Sequence, residues 1–400
     1  MSQVSRKNPY RPGVGTRPLY LAGRQAEIGR FGSTLRAAPE IPANVRLTGL
    51  RGVGKTVLLS EFETSAREMG WIPVAVEVGP RHNREASLAE LLEGLSKAAE
   101  QSLSRAERVR SRLGKAAAVL GKVGVTYGDV TFSVDTSSEE EVEVGGTLAG
   151  LAEAAAGQGL EGAVLLLDEA QVLRDERARE GEHPLSLLLS AVNAVQKTGR
   201  PLGLVVCGLP TLTANLLHAR SYSERMFRGE EIGPLDTEEA REALQEPLRD
   251  SGISADPMLV AKVLESVEGY PYFIQLWGAE LWDAARGAGV AILTRDLLDA
   301  VEPEIYRRLD LDFYDPRIQT LTPAEQDILL ASAECAYPPL VVADIRKRTE
   351  KTPGNVNVLL GRLVESGVLY RVRKGQYRFT APKFHDYLKR KVRRLGEESV

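Results

Sequence analysis

The stretch Gly49-Leu50-Arg51-Gly52-Val53-Gly54-Lys55-Thr56 decides how the rest of the chain is interpreted. It follows a short apolar and β-branched run, Val45 to Thr48, that predicts a buried strand. Apolar residues then recur at helical spacing from Lys55 to Met69, which predicts an amphipathic helix. A glycine-rich turn between a buried strand and a helix, ending in Lys and Thr, is typical of a phosphate-binding P-loop.

The residue types of this loop suit phosphate binding. Glycines let backbone N–H groups close around phosphate oxygens, and the N-terminus of the following helix adds free donors and a favourable dipole. We expect Lys55 to reach the β- and γ-phosphates of ATP and Thr56 to place its hydroxyl on Mg²⁺. The alternative is a glycine-rich structural turn without a ligand. The predicted nucleotide contacts of the loop are Gly49, Leu50, Arg51, Gly52, Val53, Gly54, Lys55, Thr56 and Val57.

A second apolar run, Ala163 to Leu167, ends in the two carboxylates of Asp168 and Glu169. Open α/β sheets bind ligands at the carboxyl ends of their strands. We therefore expect Asp168 to hold the Mg²⁺ and Glu169 to orient or deprotonate the attacking water. A solvated strand end is the alternative.

Strand-like and helix-like segments alternate along the first half of the chain. Further strands are predicted at Trp71 to Val78, Leu202 to Val206 and Ile232 to Leu235, and helices at Ser87 to Leu103 and Pro184 to Lys197. This alternation predicts an α/β fold, a P-loop NTPase with a mainly parallel sheet covered on both faces. The predicted units are a basic extended arm (1–20), the P-loop ATPase core (21–235), a helical lid (236–316) and a winged helix-turn-helix domain (317–400).

The arm and one stretch of the core depart from this rhythm. Residues 1–20 contain four basic residues, no acidic residue and three prolines, which predicts an extended arm rather than a packed element. Residues 104–146 carry a basic helical piece, an alternating piece and an acidic run, and are interpreted as an insertion. A solvated decoration and a partner-binding role both remain open for this insertion.

The last unit follows the order helix, helix, helix, hairpin. Residues 317–400 hold 16 Lys and Arg against 9 Asp and Glu, a net charge of +7, whereas the whole chain has −4. A basic unit with this order favours a winged helix that binds double-stranded DNA, with Asn355 to Ser366 as the recognition helix. Protein interaction is the alternative. The predicted DNA contacts are Asn355, Asn357, Arg362, Arg373 and Lys374.

Composition limits the compartment. The two cysteines, Cys207 and Cys335, cannot form a disulfide framework, and no Cys or His cluster suggests a metal site. The N-terminal residues lack the apolar segment of a signal peptide, and no apolar run approaches the length of a membrane helix. We therefore expect a cytoplasmic protein without a membrane partner.

At these motifs the sequence resembles the AAA+ ATPases, most of all the initiator (origin-recognition) group with its related archaeal and bacterial ATPases. The P-loop and Asp168-Glu169 match the Walker motifs of that family. Leu21-Ala22-Gly23-Arg24 resembles a segment that contacts adenine, so the resemblance implies base contacts by Gly23 and Arg24.

Ser223 to Phe227 resembles the segment that carries the family's arginine finger. The resemblance implies that Arg225 acts on ATP bound to a neighbouring subunit, and hence a homo-oligomer. Arg228 is an alternative candidate for this role.

Two segments depart from the family pattern. Sensor 1 usually carries a polar residue such as Asn, and here Cys207 or Thr211 takes that place. Gly269 to Phe273 lacks the arginine of sensor 2. Its Gly-x-Pro is similar to the signalling STAND ATPases, in which the proline touches adenine, so the resemblance implies an adenine contact by Pro271 and a slow, switch-like ATPase.

These features favour an AAA+-type switch that binds ATP and Mg²⁺, hydrolyses ATP slowly and controls a winged-helix DNA-binding domain. The alternative is a STAND-like signalling ATPase whose winged helix binds a protein partner. A chaperone-type motor is disfavoured because the sequence shows no aromatic pore-loop motif.

Overall fold

The computed structural model describes residues 7–83, 91, 94, 139–176, 183–249 and 251–398. Most of the helix predicted at Ser87 to Leu103, and of the insertion predicted at 104–146, lies outside the described residues.

A five-stranded parallel sheet forms the centre of the first half of the chain. Its strands are β1 (Asn44–Gly49), β2 (Trp71–Glu77), β3 (Gly162–Asp168), β4 (Leu202–Gly208) and β5 (Arg228–Ile232). They lie side by side in the order β2-β3-β4-β1-β5. Because β1, β3 and β4 are neighbours and parallel, the P-loop and the Asp168-Glu169 pair emerge at the same edge of the sheet.

Helices cover both faces of this sheet. Successive residues of a strand point to opposite faces, and accordingly Leu165 and Leu167 join one apolar cluster while Val164 and Leu166 join another. The helices of this half are α1 (Gln25–Arg36), α2 (Lys55–Glu68), α3 (Glu139–Gly157), α4 (Pro184–Lys197), α5 (Thr211–Ala219) and α6 (Ser223–Met226). The predicted α/β class with a parallel sheet is confirmed.

Two boundaries in this half were predicted wrongly. The fifth strand spans Arg228–Ile232 rather than Ile232 to Leu235. It is an edge strand with exposed polar residues, so it lacks the apolar pattern of a buried strand. Residues 139–146 form the first turns of α3, and Val144 in these turns belongs to the apolar cluster of the sheet, so the predicted insertion ends too late in the chain.

Four helices follow the sheet and make the segment predicted as a lid. They are α7 (Thr237–Gln245), α8 (Pro257–Val267), α9 (Pro271–Ala288) and α10 (Arg295–Arg308), with a two-strand pair, β6 (Ser254–Ala255) and β7 (Ile292–Leu293), between them. A capping box starts α7: Asp236 accepts the backbone N–H of Glu239, whose side chain accepts the N–H of Asp236, both at 2.9 Å.

The N-terminal arm has no helix or strand between residues 7 and 20, but it is packed and not free. Tyr10 is 3% exposed, lies against Gly278 of α9 and donates its hydroxyl to the Leu244 carbonyl. Asn8 donates to the Ala279 carbonyl at 3.0 Å. An aromatic ring buried on the lid helices thus overrides the extended, basic character of the arm.

The C-terminal unit combines short helices with a small antiparallel sheet. After a π-helical turn (Leu309–Tyr314), its helices are α11 (Asp315–Gln319), α12 (Pro323–Ser332), α13 (Val342–Arg346), α14 (Pro353–Glu365) and α15 (Phe384–Glu398). Strands β8 (Leu340–Val341), β9 (Leu369–Arg373) and β10 (Gln376–Phe379) lie in the order β8-β10-β9. The lid helices and this unit share one apolar core.

One apolar residue of α14 lies outside its core face. Val356, Leu359, Leu360 and Leu363 are buried, whereas Val358 is 56% exposed. The helix phase is set by the apolar residues that reach α12, which excludes Val358. None of the helices described is both long and apolar enough to span a membrane.

Candidate nucleotide-binding site

The P-loop presents free backbone donors at the start of α2. Gly52 and Gly54 adopt left-handed backbone angles, φ 79° and 89°, which favour glycine. The backbone N–H groups of residues 52–56 donate no hydrogen bond to any residue that the structure describes. Gly49 leaves no room for a side chain, because a Cβ there would meet the carbonyl oxygen of Ile232. The loop therefore keeps the open amide cradle that phosphate oxygens require.

Lys55 is the buried cation of this cradle. It is 8% exposed, and its Nζ donates to the Leu50 carbonyl of the same loop at 3.0 Å. Burial lowers the pKa of Lys55, while the charges of Glu169 and Asp168 act in the opposite direction. An ammonium group held only by a loop carbonyl is suited to exchange that partner for a phosphate oxygen.

Two carboxylates lie at the end of β3, close enough to Lys55 to act on its pKa. Asp168 is 9% exposed and accepts the backbone N–H of Glu169 at 2.8 Å. Glu169 adopts a left-handed conformation, φ 53°, which is unusual for a side-chain-bearing residue and common at functional sites. The carboxylate oxygens of Asp168 and Glu169 suit a nucleotide that carries Mg²⁺, because Mg²⁺ prefers oxygen ligands such as carboxylates.

The two candidates for the sensor 1 position differ in their surroundings. Cys207 of β4 is fully buried, and burial followed by the Asp168 charge raises its pKa well above the usual range, so the thiol stays neutral. Thr211 begins α5 and lines a cavity that also contains Glu169.

Gln171 was missed as a site residue, although it lies in the motif that follows β3. Its amide Nε2 donates to the Glu169 carboxylate, and its Oε1 accepts the backbone N–H of Leu209 at 3.0 Å. Asn215 in turn donates to the Gln171 carbonyl at 2.8 Å. Gln171 thus ties Glu169 to the end of β4, a contact that sequence spacing cannot reveal.

Gly23 and Arg24, which were predicted to contact adenine, have different neighbours. Arg24 is 6% exposed and donates to the carbonyls of Val53 at 3.1 Å and Gly233 at 2.8 Å. Gly23 has φ 61° and lies against the Glu239 side chain. The guanidinium of Arg24 therefore links the P-loop to the segment after β5. The predicted adenine contact by Arg24 stays a prediction.

The first residues of α9 also touch the P-loop. The backbone N–H of Tyr272 donates to the Gly52 carbonyl at 3.2 Å. Pro271 lies beside Gly54, with its Cγ 4.0 Å from the position of a Cβ there. The structure thus brings Pro271 to the nucleotide loop, as the prediction of a base contact requires.

The two arginine-finger candidates differ in their surroundings. Arg228 forms an ion pair with Glu230 at 3.1 Å. Arg225 is exposed at the end of α6 and has no ion-pair partner in the described part of the chain. Arg225 is therefore the more available guanidinium.

The predicted DNA contacts are all exposed on the C-terminal unit. Asn355, Asn357 and Arg362 lie on α14, and Arg373 and Lys374 lie at the β9–β10 turn. Asn357 accepts from Arg346 at 3.2 Å, and Arg373 donates to Gln376 at 2.8 Å.

Part of the basic charge counted in the sequence is already neutralised. Arg390 and Arg394 pair with the buried Asp310, at 2.5 and 2.6 Å, and Lys391 pairs with Asp315 at 2.7 Å. These α15 residues hold the unit to the π-helical turn and are not free for phosphate contact. Arg373 and Lys374 at the β9–β10 turn are exposed and form no ion pair among the described residues.

The C-terminal unit rests on the nucleotide loop. The backbone N–H of Arg51 donates to the Thr380 carbonyl at 2.9 Å. Gly367 faces the Leu209 and Arg51 side chains, 3.4 and 3.7 Å from the position of its Cβ. A cavity of about 740 Å³ lies between the two units, with Glu169 on one wall and the end of α14 on the other.

Comparisons with known proteins agree with this geometry. Residues 20–206 match the family model described as AAA ATPase domain, and residues 311–388 match a domain of unknown function, DUF8462. Among curated proteins, none matches the chain.

Two archaeal structures share the fold. The Walker-type ATPase of Pyrococcus abyssi is 19% identical, with 92% of this chain and 96% of that chain covered and a TM-score of 0.54. The ORC2 protein of Aeropyrum pernix, in its ADP form, is 15% identical, with 96% of each chain covered and a TM-score of 0.53. The parallel-sheet fold is therefore shared with both structures, and the family match over residues 20–206 supports nucleotide binding at the P-loop.

Proposed function

We propose that the chain is an ATP-dependent switch. It binds ATP with Mg²⁺ at the P-loop, hydrolyses it slowly, and thereby controls the docking of a C-terminal winged-helix domain that binds double-stranded DNA. The proposed units remain the arm, the ATPase core, the lid and the winged helix.

The observation that carries this proposal is the hydrogen bond from Arg51 to Thr380. It joins the P-loop directly to the C-terminal unit. A phosphate bound in the P-loop adds negative charge beside Arg51 and can shift its backbone. Because Arg51 also contacts the C-terminal unit, nucleotide binding and docking of that unit are linked. Because linkage is reciprocal, DNA that prefers an undocked domain also changes nucleotide affinity.

The chemistry is assigned to four side chains. Lys55 binds the β- and γ-phosphates, Thr56 and Asp168 hold the Mg²⁺, and Glu169 activates the water. The bound Mg²⁺ neutralises charge on the phosphates. In the structure the Glu169 carboxylate is engaged by Gln171, which delays activation of water and favours a slow reaction.

The trans-acting group is assigned to Arg225. Its exposed position at the end of α6 allows it to reach the nucleotide of a neighbouring subunit. Full activity then requires assembly, which also suits a switch.

Exposed apolar residues favour the second candidate, a STAND-like switch that binds a protein partner. Val358 of α14 is 56% exposed, and Val372 of β9 is 49% exposed. Apolar residues of this kind can contribute to the core of a protein interface. DNA binding is preferred because charged Arg373 and Lys374 lie beside Val372.

Size-exclusion chromatography with light scattering on Glu169→Gln tests the proposal. The protein is run with and without ATP, and with and without a DNA duplex. We expect the mass to rise with ATP and the duplex to co-elute in a nucleotide-dependent way. Lys55→Ala is the control and should show neither change. Identical elution of Glu169→Gln under all four conditions would contradict the proposal.

A further inference from the structure

Arg317 lies outside the predicted motifs and is joined to the P-loop through aromatic residues. Arg317 lies on α11, at the start of the C-terminal unit, and its guanidinium stacks over the Phe313 ring, 4.3 Å from the centroid. Phe313 stacks on Tyr272 with ring centroids 5.1 Å apart. Tyr272 donates its backbone N–H to Gly52 of the P-loop. A continuous row of contacts therefore leads from the P-loop to Arg317.

Arg317 and Arg51 are both without a counter-ion. The Nε atom of each is buried and has no hydrogen-bond partner, and neither residue forms an ion pair among the residues that the structure describes. Arg30 and Arg390, which are also partly buried, pair with Glu230 and Asp310, whereas Arg46 and Arg220 likewise have a buried Nε without a hydrogen-bond partner. Desolvated charges are costly unless they are paired, so an unpaired arginine couple indicates a missing anion.

The electrostatics of the cluster agree with this. Burial, and then the charge of Arg51, lowers the pKa of Arg317 to about 10, and Glu169 is among the groups that oppose the shift. Among the described residues, the carboxylates that act on the pKa of Lys55 or of Arg317 are those of Asp168 and Glu169. Three positive and two negative charges leave a net charge of +1 beside a loop built for phosphate.

We propose that Arg317, together with Arg51, binds the terminal phosphate of the nucleotide. This inference rests on the proposed function and extends it, because it names the group that distinguishes ATP from ADP. Arg317 is close enough to Glu169 for the two charges to interact, and Glu169 is the residue assigned to the water that attacks the γ-phosphate. We assign the guanidinium to the γ-phosphate for this reason and because Phe313 and Tyr272 join it to Gly52 of the P-loop. It supplies the positive charge that the segment Gly269 to Phe273 lacks.

The position of Arg317 connects this contact to the C-terminal unit. Tyr314 donates its hydroxyl to the Pro382 carbonyl at 2.9 Å, and Lys391 of α15 pairs with Asp315 at 2.7 Å. The segment that carries Arg317 is thus fixed to α15. A γ-phosphate that binds Arg317 therefore also restrains the C-terminal unit. When hydrolysis removes the γ-phosphate, this restraint is lost.

The test compares a triphosphate with a diphosphate. The affinities of full-length Arg317→Ala for ATPγS and for ADP are measured with Mg²⁺ by isothermal titration calorimetry. Because a hydrogen bond to a charged group is strong, we expect ATPγS affinity to fall by about tenfold or more and ADP affinity to change by less than about threefold. Arg286→Ala is the matched control, since Arg286 also stacks on an aromatic ring, Trp282, at 5.4 Å but belongs to α9 outside the cluster.

Equal losses for both nucleotides, or no loss, would overturn the inference. If Arg317→Ala does not fold, as judged by its thermal unfolding, Arg317→Gln is measured against the same two outcomes. Failure of the proposed function looks different, because then the wild-type protein and Lys55→Ala bind neither nucleotide. A wild-type protein that binds both, with Arg317→Ala indistinguishable from it, rejects only the role of Arg317.

Discussion

At the scale of single residues, the centre of the proposed nucleotide site is a buried lysine, Lys55, which its surroundings hold in place. Lys55 is desolvated, and the nearby carboxylates of Asp168 and Glu169 favour its charged form. Its hydrogen-bond acceptor is the Leu50 carbonyl, a partner that phosphate oxygens can replace. The side chain is therefore preorganised for an anion.

Lys55→Ala should lose nucleotide binding. Removing an ammonium that contacts two phosphates deletes at least two charge-assisted hydrogen bonds, so we expect affinity to fall by about 100-fold or more. Titration with a fluorescent ATP analogue measures this. Lys262→Ala, which alters a partly exposed lysine on α8 that pairs with Glu265, is the control, and equal affinity in the two variants would reject the site.

Glu169→Gln should separate binding from turnover. The amide keeps the size of the side chain but cannot accept a proton from water, so we expect the hydrolysis rate to fall by about 100-fold or more with ATP affinity within about threefold of wild type. Single-turnover phosphate release gives the rate. Undiminished hydrolysis would remove Glu169 from the mechanism.

The sequence predicted the motif residues of the site but not their supporting contacts. The P-loop and the Asp168-Glu169 pair are local patterns, so spacing alone locates them. Gln171 contacts Leu209, which is distant along the chain, and Arg317 is joined to the P-loop only indirectly, through Phe313 and Tyr272. Such contacts depend on how elements pack, which one sequence does not specify.

At the scale of elements, the two arginine-finger candidates have different surroundings: Arg225 is exposed on short α6, whereas Arg228 of β5 pairs with Glu230 of the same strand. This asymmetry makes the two arginines a matched pair for experiment. We expect Arg225→Ala to lower the hydrolysis rate by about tenfold or more at concentrations that favour assembly, and Arg228→Ala to have little effect. The dependence of the rate on protein concentration measures this, and equal effects would argue against a trans-acting Arg225.

The β9–β10 turn is the element on which DNA binding is proposed to depend. Each basic residue on a phosphate adds close to one unit to the salt dependence of binding, so Arg373→Glu with Lys374→Glu should lower the slope of log K against log salt by about two. Fluorescence anisotropy with a labelled duplex gives the slope. Lys347→Glu on the same unit is the control. Absence of duplex binding by wild type at low salt would favour the protein-partner alternative.

Buried strands were located more accurately from the sequence than the exposed edge strand. Buried strands such as β3 and β4 have continuous apolar runs, and their positions agree with the sequence to within two residues. The edge strand β5 is polar because one side faces solvent, and it was placed too late in the chain.

At the scale of the whole molecule, the C-terminal unit lies against both the P-loop and the lid helices. Thr380 accepts from Arg51, and Lys383 donates to the Ser266 carbonyl and pairs with Glu268. Composition and order predicted that the unit exists. Its docking on the phosphate loop could not be predicted, because it depends on three-dimensional complementarity between distant surfaces.

The central claim is that nucleotide state controls this docking, and one distance tests it. Spin labels are placed at Thr64→Cys on α2 and Lys389→Cys on α15, both exposed, while the native Cys207 and Cys335 are buried. The Glu169→Gln background keeps ATP intact during double electron–electron resonance. We expect different label-to-label distances with ATP and with ADP, and one unchanged distance in Lys55→Ala. Superimposable distances in protein shown to bind both nucleotides would contradict the account.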